Sequence, residues 1–345
     1  MLDSRRSAAA VGFLVAALVL AGLFWYVGAG AVAAELADAD LGLIALVGVT
    51  ALAWLGAWAL VLRFVLGAVG PTLPYGDSVL VYATASFANN VTPFGQAGGE
   101  PITALVISSV ADVEYERGLA AIASTDALNF VPSVLFALFG VAYYATTTGL
   151  PGRLGFLATV VLALAVLAPV AITLGWRYRY RLESGLVAVL GPILARLGTI
   201  EWLPVPTPEG LARRVEGFFN AVERVATSPR RLVLALGCSA AGWLFQSLGL
   251  WIAFRAFGVS IPFYVALFVV PLGTVASATP TPGGLGAIEA VYVLLLSIAT
   301  PLPASTITAV VTVHRVGGFL LMTSIGGGAS AYLWATGRAA LAEAS

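Results

Sequence analysis

Lysine is absent, and all 17 basic residues are arginine. Charged residues make up only 10% of the chain, and a soluble domain of 345 residues needs far more charge to cover its surface. One cysteine, Cys238, excludes an internal disulfide and sits in an apolar run that suits no metal. One histidine, His314, excludes a His-rich metal site, so no metal and no cofactor is expected. Without lysine there is no P-loop. HExxH, the nucleophile elbow and CxxC are also missing, so the expectation is a protein that is not an enzyme. Zero net charge removes the basic footprint that nucleic-acid binding requires.

What is abundant is apolar. Sixty per cent of residues are hydrophobic and the mean hydropathy is +0.97. The apolar material comes in blocks: Ala8–Val27, Leu41–Leu66, Gly118–Ala145, Leu154–Gly175, Leu232–Ile252 and Ser305–Trp334. Each reaches or approaches the roughly 20 helical residues that cross a hydrocarbon core. The first follows Arg5-Arg6 and ends in Trp25-Tyr26, an interfacial pair, which reads as an uncleaved signal anchor.

Two further apolar stretches, Ser78–Ala111 and Phe263–Ala299, are interrupted by proline and glycine. Proline removes a backbone donor and clashes with the preceding turn, and glycine loosens the backbone. The interruptions align without gaps at one constant offset, the one that carries Thr92 onto Thr281. Both read Thr-Pro-x-Gly-x-x-x-x-Glu: Thr92, Pro93, Gly95, Glu100 against Thr281, Pro282, Gly284, Glu289. At the same distance past each glutamate stands a charge, Asp126 in one half and Arg315 in the other. Such paired interrupted segments are the sequence signature of a transporter site built from an internal repeat. Broken backbone at membrane depth is tolerated only where protein or a watery cavity satisfies it.

The fold class read from this pattern is all-α and polytopic, one transmembrane domain over residues 1–345. It has about six full spans and two opposed re-entrant helical hairpins forming an inverted repeat, with repeat one at about 78–145 and repeat two at about 263–335. Charge sets the expected orientation. With both hairpins re-entrant, Trp176–Arg231, which carries nine arginines, falls inside with both termini, as the positive-inside rule asks of a cytoplasmic membrane protein. Within it, Glu209–Thr227 has Leu211, Val215, Phe218, Val222 and Val225 at helical spacing, for an amphipathic helix on the leaflet or a small cytoplasmic cap. Leu182–Leu197 reads alike.

Glu100, Asp126, Glu289 and Arg315 fall inside apolar segments, where charge is costly unless paired or hydrated. Glu100, followed by Pro101, is expected to open a half-helix, because proline suits a first turn. Gly95, Gly99, Gly283, Gly284 and Gly286 would bare backbone N–H groups near helix N-termini, where anions such as phosphate bind. Three readings of the charges stay open. Asp126 and Arg315 are a buried ion pair joining the halves; or Arg315, with His314, meets a lipid phosphate while the carboxylates gate or couple to a proton or cation; or the glutamates cap their own half-helices.

The two motifs carry a family resemblance. Asn89-Asn90-x-Thr92-Pro93-x-Gly95-x-x-x-Gly99-Glu100, then Pro280-x-Pro282-Gly283-Gly284-Leu285-Gly286-x-x-Glu289, then His314-Arg315, together resemble the flippase-like family named for the transmembrane region of lysylphosphatidylglycerol synthases. The resemblance covers nearly the whole chain, and the Pro-Gly-Gly-x-Gly-x-x-Glu segment is its more specific part. It implies a protein that moves lipids, either aminoacylated phospholipids or polyprenyl-phosphate-linked sugars. It also implies site roles for Asn90, Pro93, Gly99, Glu100, Pro282, Gly283, Gly284, Gly286, Glu289 and Arg315. The chain departs from the family where Phe94 and Gln96 replace an arginine-bearing stretch, and where Ser124-Thr125 replace a Glu-Arg pair before Asp126. No stretch reads as the soluble aminoacyl-transfer domain of the bifunctional synthases, so the translocating part alone is expected. Translocation of a phosphate-bearing lipid across the cytoplasmic membrane is therefore the expected function. The alternatives are a secondary transporter of a small anion and a non-transporting scaffold for a glycosyltransferase partner.

Overall fold

The computed structural model describes residues 29–92, 95–148, 208–279 and 281–338, with isolated positions between 159 and 178. The expected anchor Ala8–Val27, the Leu182–Leu197 helix, Pro93 and most of Leu154–Gly175 lie outside the described residues. Among the described residues there is no strand. The helices are α1 (Ala29–Ala37), α2 (Leu41–Val69), α3 (Tyr75–Val91), α4 (Gln96–Ala111), α5 (Tyr115–Thr148), α6 (Pro208–Ala226), α7 (Pro229–Ala256), α8 (Phe263–Thr274), α9 (Ala287–Ala299), α10 (Ala304–Val311) and α11 (Gly318–Ala335). A π-helical segment, Thr312–Gly317, joins α10 to α11, so the three make one long rod. Five helical segments are long and apolar enough to cross a membrane: α2, α5, α7, the α10–α11 rod, and α9 taken with the turn before it. Their outward faces carry large apolar side chains, among them Val49, Leu135, Val233 and Leu320. Water would penalise that surface and lipid tails do not, so this is a multi-pass membrane protein.

The offset that matches the motifs extends well past them. Shifted by it, Leu41 falls on Arg230, one residue inside α7, and Tyr75 falls on Tyr264, one residue inside α8. Gln96 falls on Leu285, two residues before α9, and Tyr115 falls on Ala304, the first residue of α10. Each half is thus a long helix, a helical hairpin and a second long helix, and the unit begins with α2 and α7, earlier than Ser78 and Phe263.

The halves run in opposite directions. The Trp58 indole donates to Ser239 O at 3.3 Å, Arg231 donates to Gly67 O, and Gly249 packs beside Thr50. Numbers rise along α2 as they fall along α7, so the two equivalent helices are antiparallel. Contacts elsewhere are reciprocal: α3 packs on α11, and α8 packs on α5. A two-fold axis across the helices relates such an arrangement. Trp54 and Trp243, equivalents at the offset, flank Trp58 near that axis, with ring centroids 5.2 and 5.3 Å from it.

Close helix approach rests on glycine at a few positions. A Cβ on Gly99 would meet Asn89 N at 2.7 Å, where α4 folds back on α3. Backbone cannot yield as a flexible side chain can, so Gly99→Ala is expected to destabilise by about 1–3 kcal/mol. Thermal unfolding in detergent, with Gly328→Ala as the control because a Cβ there meets nothing within 4 Å, would read it.

α6 spans Pro208–Ala226, one residue from the amphipathic stretch read from its periodicity. Its apolar stripe buries Ala221 and Val225 against the bundle, beside α2 and α5.

Candidate functional site

Both hairpins break where glycine takes left-handed backbone. Gly95, before α4, has φ +52°, and Gly283, Gly284 and Gly286 have φ +58°, +68° and +83°. Side chains rarely adopt these angles. The two breaks approach each other. A Cβ on Gly95 would sit 3.3 Å from Ser277 O, and one on Gly283 would sit 2.9 Å from Asn90 Oδ1. Asn90 Nδ2 donates to Thr323 Oγ1 at 2.9 Å and ties the first hairpin to α11.

The helix ends differ from expectation. α4 starts at Gln96, so Pro101 lies inside it and Glu100 is in its second turn. The half-helix is 16 residues, about 24 Å at 1.5 Å per residue, longer than the stretch beginning at Pro101 implied. At α9 the Gly286 N–H is not free for an anion. It donates to Glu289 Oε2 at 2.6 Å, an N-cap closed by the third residue of the helix. The reading in which a glutamate caps its own helix therefore holds for Glu289. Thr92 Oγ1 donates to Ala88 O at 2.7 Å and so serves the last turn of α3.

The ion pair that one of the three readings placed between Asp126 and Arg315 does not form. Glu289 is 1% exposed, and its Oε1 lies 3.5 Å from Arg315 Nε, within one half. In the other half the carboxyls of Glu100 and Asp126 interact. The equivalent positions thus carry an acid–base pair in one half and an acid–acid pair in the other. The reason is spacing: the stretch from Glu100 to Asp126, matched by that from Glu289 to Arg315, brings each glutamate next to the charge in its own last helix.

Between the breaks lies a cavity of about 580 Å³. Of the residues read from sequence, Asn90, Gly95, Gly283, His314, Arg315 and Asp126 line it. Thr92, Gly99, Glu100, Pro282, Gly284, Gly286 and Glu289 do not; they shape the breaks or stand behind the wall. Sequence reading missed Trp54, Trp58, Tyr82 and Trp243, which form its aromatic side. Repetition of Trp at positions 54 and 243, one offset apart, was the available signal.

Polar atoms without a partner in the protein gather on this wall: Trp54 Nε1, Asn89 Oδ1, Asp126 Oδ2, both amide atoms of Asn129, His314 Nδ1 and Arg315 Nη2. Buried groups of this kind are ordinarily satisfied, so their clustering gives the cavity a wall chemically suited to a polar occupant, water or ligand. Arg315 sits in the π-helical segment, a device often found at functional sites. Among the described residues no group of three or more His, Cys, Asp or Glu could hold a metal.

A family model described as the lysylphosphatidylglycerol synthase transmembrane region matches residues 9–326. The chain belongs to that family. It is similar to a UPF0104 membrane protein of Methanothermobacter thermautotrophicus, 25% identical over 331 residues, with 94% of this chain and 92% of that one covered. A UPF0104 membrane protein of Methanocaldococcus jannaschii is 22% identical over 276 residues, covering 76% of each. The family's name ties this chain to membrane lipid, and the motifs that carry the resemblance are the two breaks that enclose the cavity.

Proposed function

We propose that this protein translocates a phosphate-bearing lipid, such as a phospholipid or a polyprenyl-phosphate-linked sugar, across the cytoplasmic membrane. It does so as a transporter rather than an enzyme. One observation carries the reading: the Arg315 guanidinium lines an intramembrane cavity with Nε and Nη2 free of hydrogen-bond partners in the protein, its charge met only by the Glu289 carboxylate 3.5 Å from Nε. A guanidinium placed so offers its free N–H groups to a phosphate in fork geometry. The volume suits a headgroup, with tails left in lipid.

The hairpins then enter from opposite faces as re-entrant elements of a duplicated, inverted repeat, and both chain ends lie in the cytoplasm. The Glu100–Asp126 pair supplies a place for a coupling proton or cation. A glycosyltransferase partner would suit the polyprenyl-linked substrate.

Reconstitution into liposomes carrying a fluorescent phospholipid or a fluorescent polyprenyl phosphate, scored by dithionite quenching, tests this. The expected result is protein-dependent movement of one class beyond the half quenched without protein. Folded protein that moves neither lipid but accumulates a small anion would replace this reading with solute transport.

A further inference from the structure

The two halves differ at one pair of joints, and the difference has a pattern. α7 is bonded to α5: the Trp243 indole donates to Asn129 O at 2.7 Å, and Ser239 Oγ donates to Leu128 O at 3.4 Å. Pro132 lacks an N–H, which frees the Leu128 carbonyl from its own helix for that second bond.

The equivalent joint is α2 against α11. There the counterpart of Trp243 is Trp54, and its Nε1 is buried with no partner. The counterpart of Ser239 is Thr50, which turns back to donate to Val47 O in its own helix at 2.7 Å. The counterpart of Asn129 is Gly318, at the end of the π-helical segment, where the equivalent stretch of α5 is regular α-helix. The cavity follows the same bias. It runs along Ile44, Val47, Gly48, Thr50 and Ala51 of α2, whereas the equivalent stretch of α7 does not line it. Donors, helix form and cavity agree on which joint is made and which is not.

We propose that these joints are the two gates of alternating access, and that they exchange. In the structure described, α5–α7 is closed by hydrogen bonds, and α2–α11, though Gly48 still packs beside Leu321, is not. In the opposite state the Trp54 indole donates to Gly318 O, Thr50 turns across to α11, the Trp243 and Ser239 bonds break, and the cavity extends along α7 instead. Inverted equivalents make this possible, because a structure shut on one face contains the parts of one shut on the other. The two states compete through the same kind of indole hydrogen bond, while Leu321 stands where Pro132 does and leaves no freed carbonyl on α11, so the hydroxyl bond tips the balance toward the state described. This inference rests on the translocation reading, and its test separates the two.

Spin labels at Val49→Cys and Leu320→Cys, in a Cys238→Ala background, measure the α2–α11 joint. Labels on native Cys238 and Val131→Cys measure α5–α7. Both pairs are one offset apart from each other, so they report equivalent distances in the two halves. Pulsed dipolar spectroscopy in lipid nanodiscs is expected to show two distances for each pair. Trp243→Phe keeps the ring and removes the donor. It is expected to raise the long 131–238 population and the short 49–320 population together, about fivefold, as loss of one net hydrogen bond allows. Trp54→Phe is expected to do the reverse. Distances unchanged in both variants, or both pairs lengthening together, would overturn the gates. Reciprocal exchange in protein that moves no lipid would keep the gates and discard the lipid substrate. Lipid movement with both distances unchanged would do the opposite.

Discussion

Replacing Glu289 with alanine will cost about 3–5 kcal/mol of stability, the usual result of removing one partner from a buried ion pair. Its carboxylate is 1% exposed and has two tasks: one oxygen caps Gly286 N–H at 2.6 Å, and the other faces Arg315 Nε at 3.5 Å. Alanine removes both, so the half-buried Arg315 loses its counter-charge and α9 loses its cap. Glu289→Gln keeps an oxygen for the cap and loses only the charge, so it is expected to fall between wild type and alanine. Thermal unfolding of the purified protein in one detergent checks the order. If alanine and glutamine unfold together with wild type, the pair is not a structural element. The same carboxylate therefore has a folding task as well as a place beside the site, and transport loss in Glu289 variants must be judged on folded protein.

Arg315→Ala is expected to slow lipid movement on the order of 30-fold or more, since truncating one partner of a buried charge contact costs about 2–5 kcal/mol and each 1.36 kcal/mol is tenfold. Arg315→Lys keeps the charge but not the fork, and it should recover only part of the rate. Arg315→Ala alone also leaves Glu289 buried without its counter-charge, so a loss of activity has two sources. The double variant Arg315→Ala/Glu289→Gln separates them. It removes both charges while keeping the cap, so stability should return while lipid movement stays lost. Transport restored in the double variant, measured in the liposome quenching assay, would make Arg315 a counter-ion and nothing more.

The gap between Arg315 and Asp126 shows how far linear reading goes. Their equivalence across the repeat was legible, and so was their burial in apolar segments. Facing positions across a repeat suggested that they pair. In the fold each turns to the glutamate of its own half instead, because the hairpin returns beside the last helix of its own unit. The glycines divide in a similar way. That Gly95 and Gly283 break helices follows from residue type; that they line the cavity while Gly99 merely admits the neighbouring helix depends on which atoms crowd each one.

The membrane class, the two broken hairpins, the family and the offset between the halves are all legible in the linear chain. These depend on composition, helix breakers and spacing, which are local or periodic properties of the chain. The partners of the four charges, the antiparallel seating of α2 on α7, the aromatic wall and the asymmetry between Trp54 and Trp243 emerge only from the packed fold. Those depend on which of several near-equivalent neighbours a side chain reaches. In a repeat protein the two halves offer the same neighbours twice, so packing alone chooses between them.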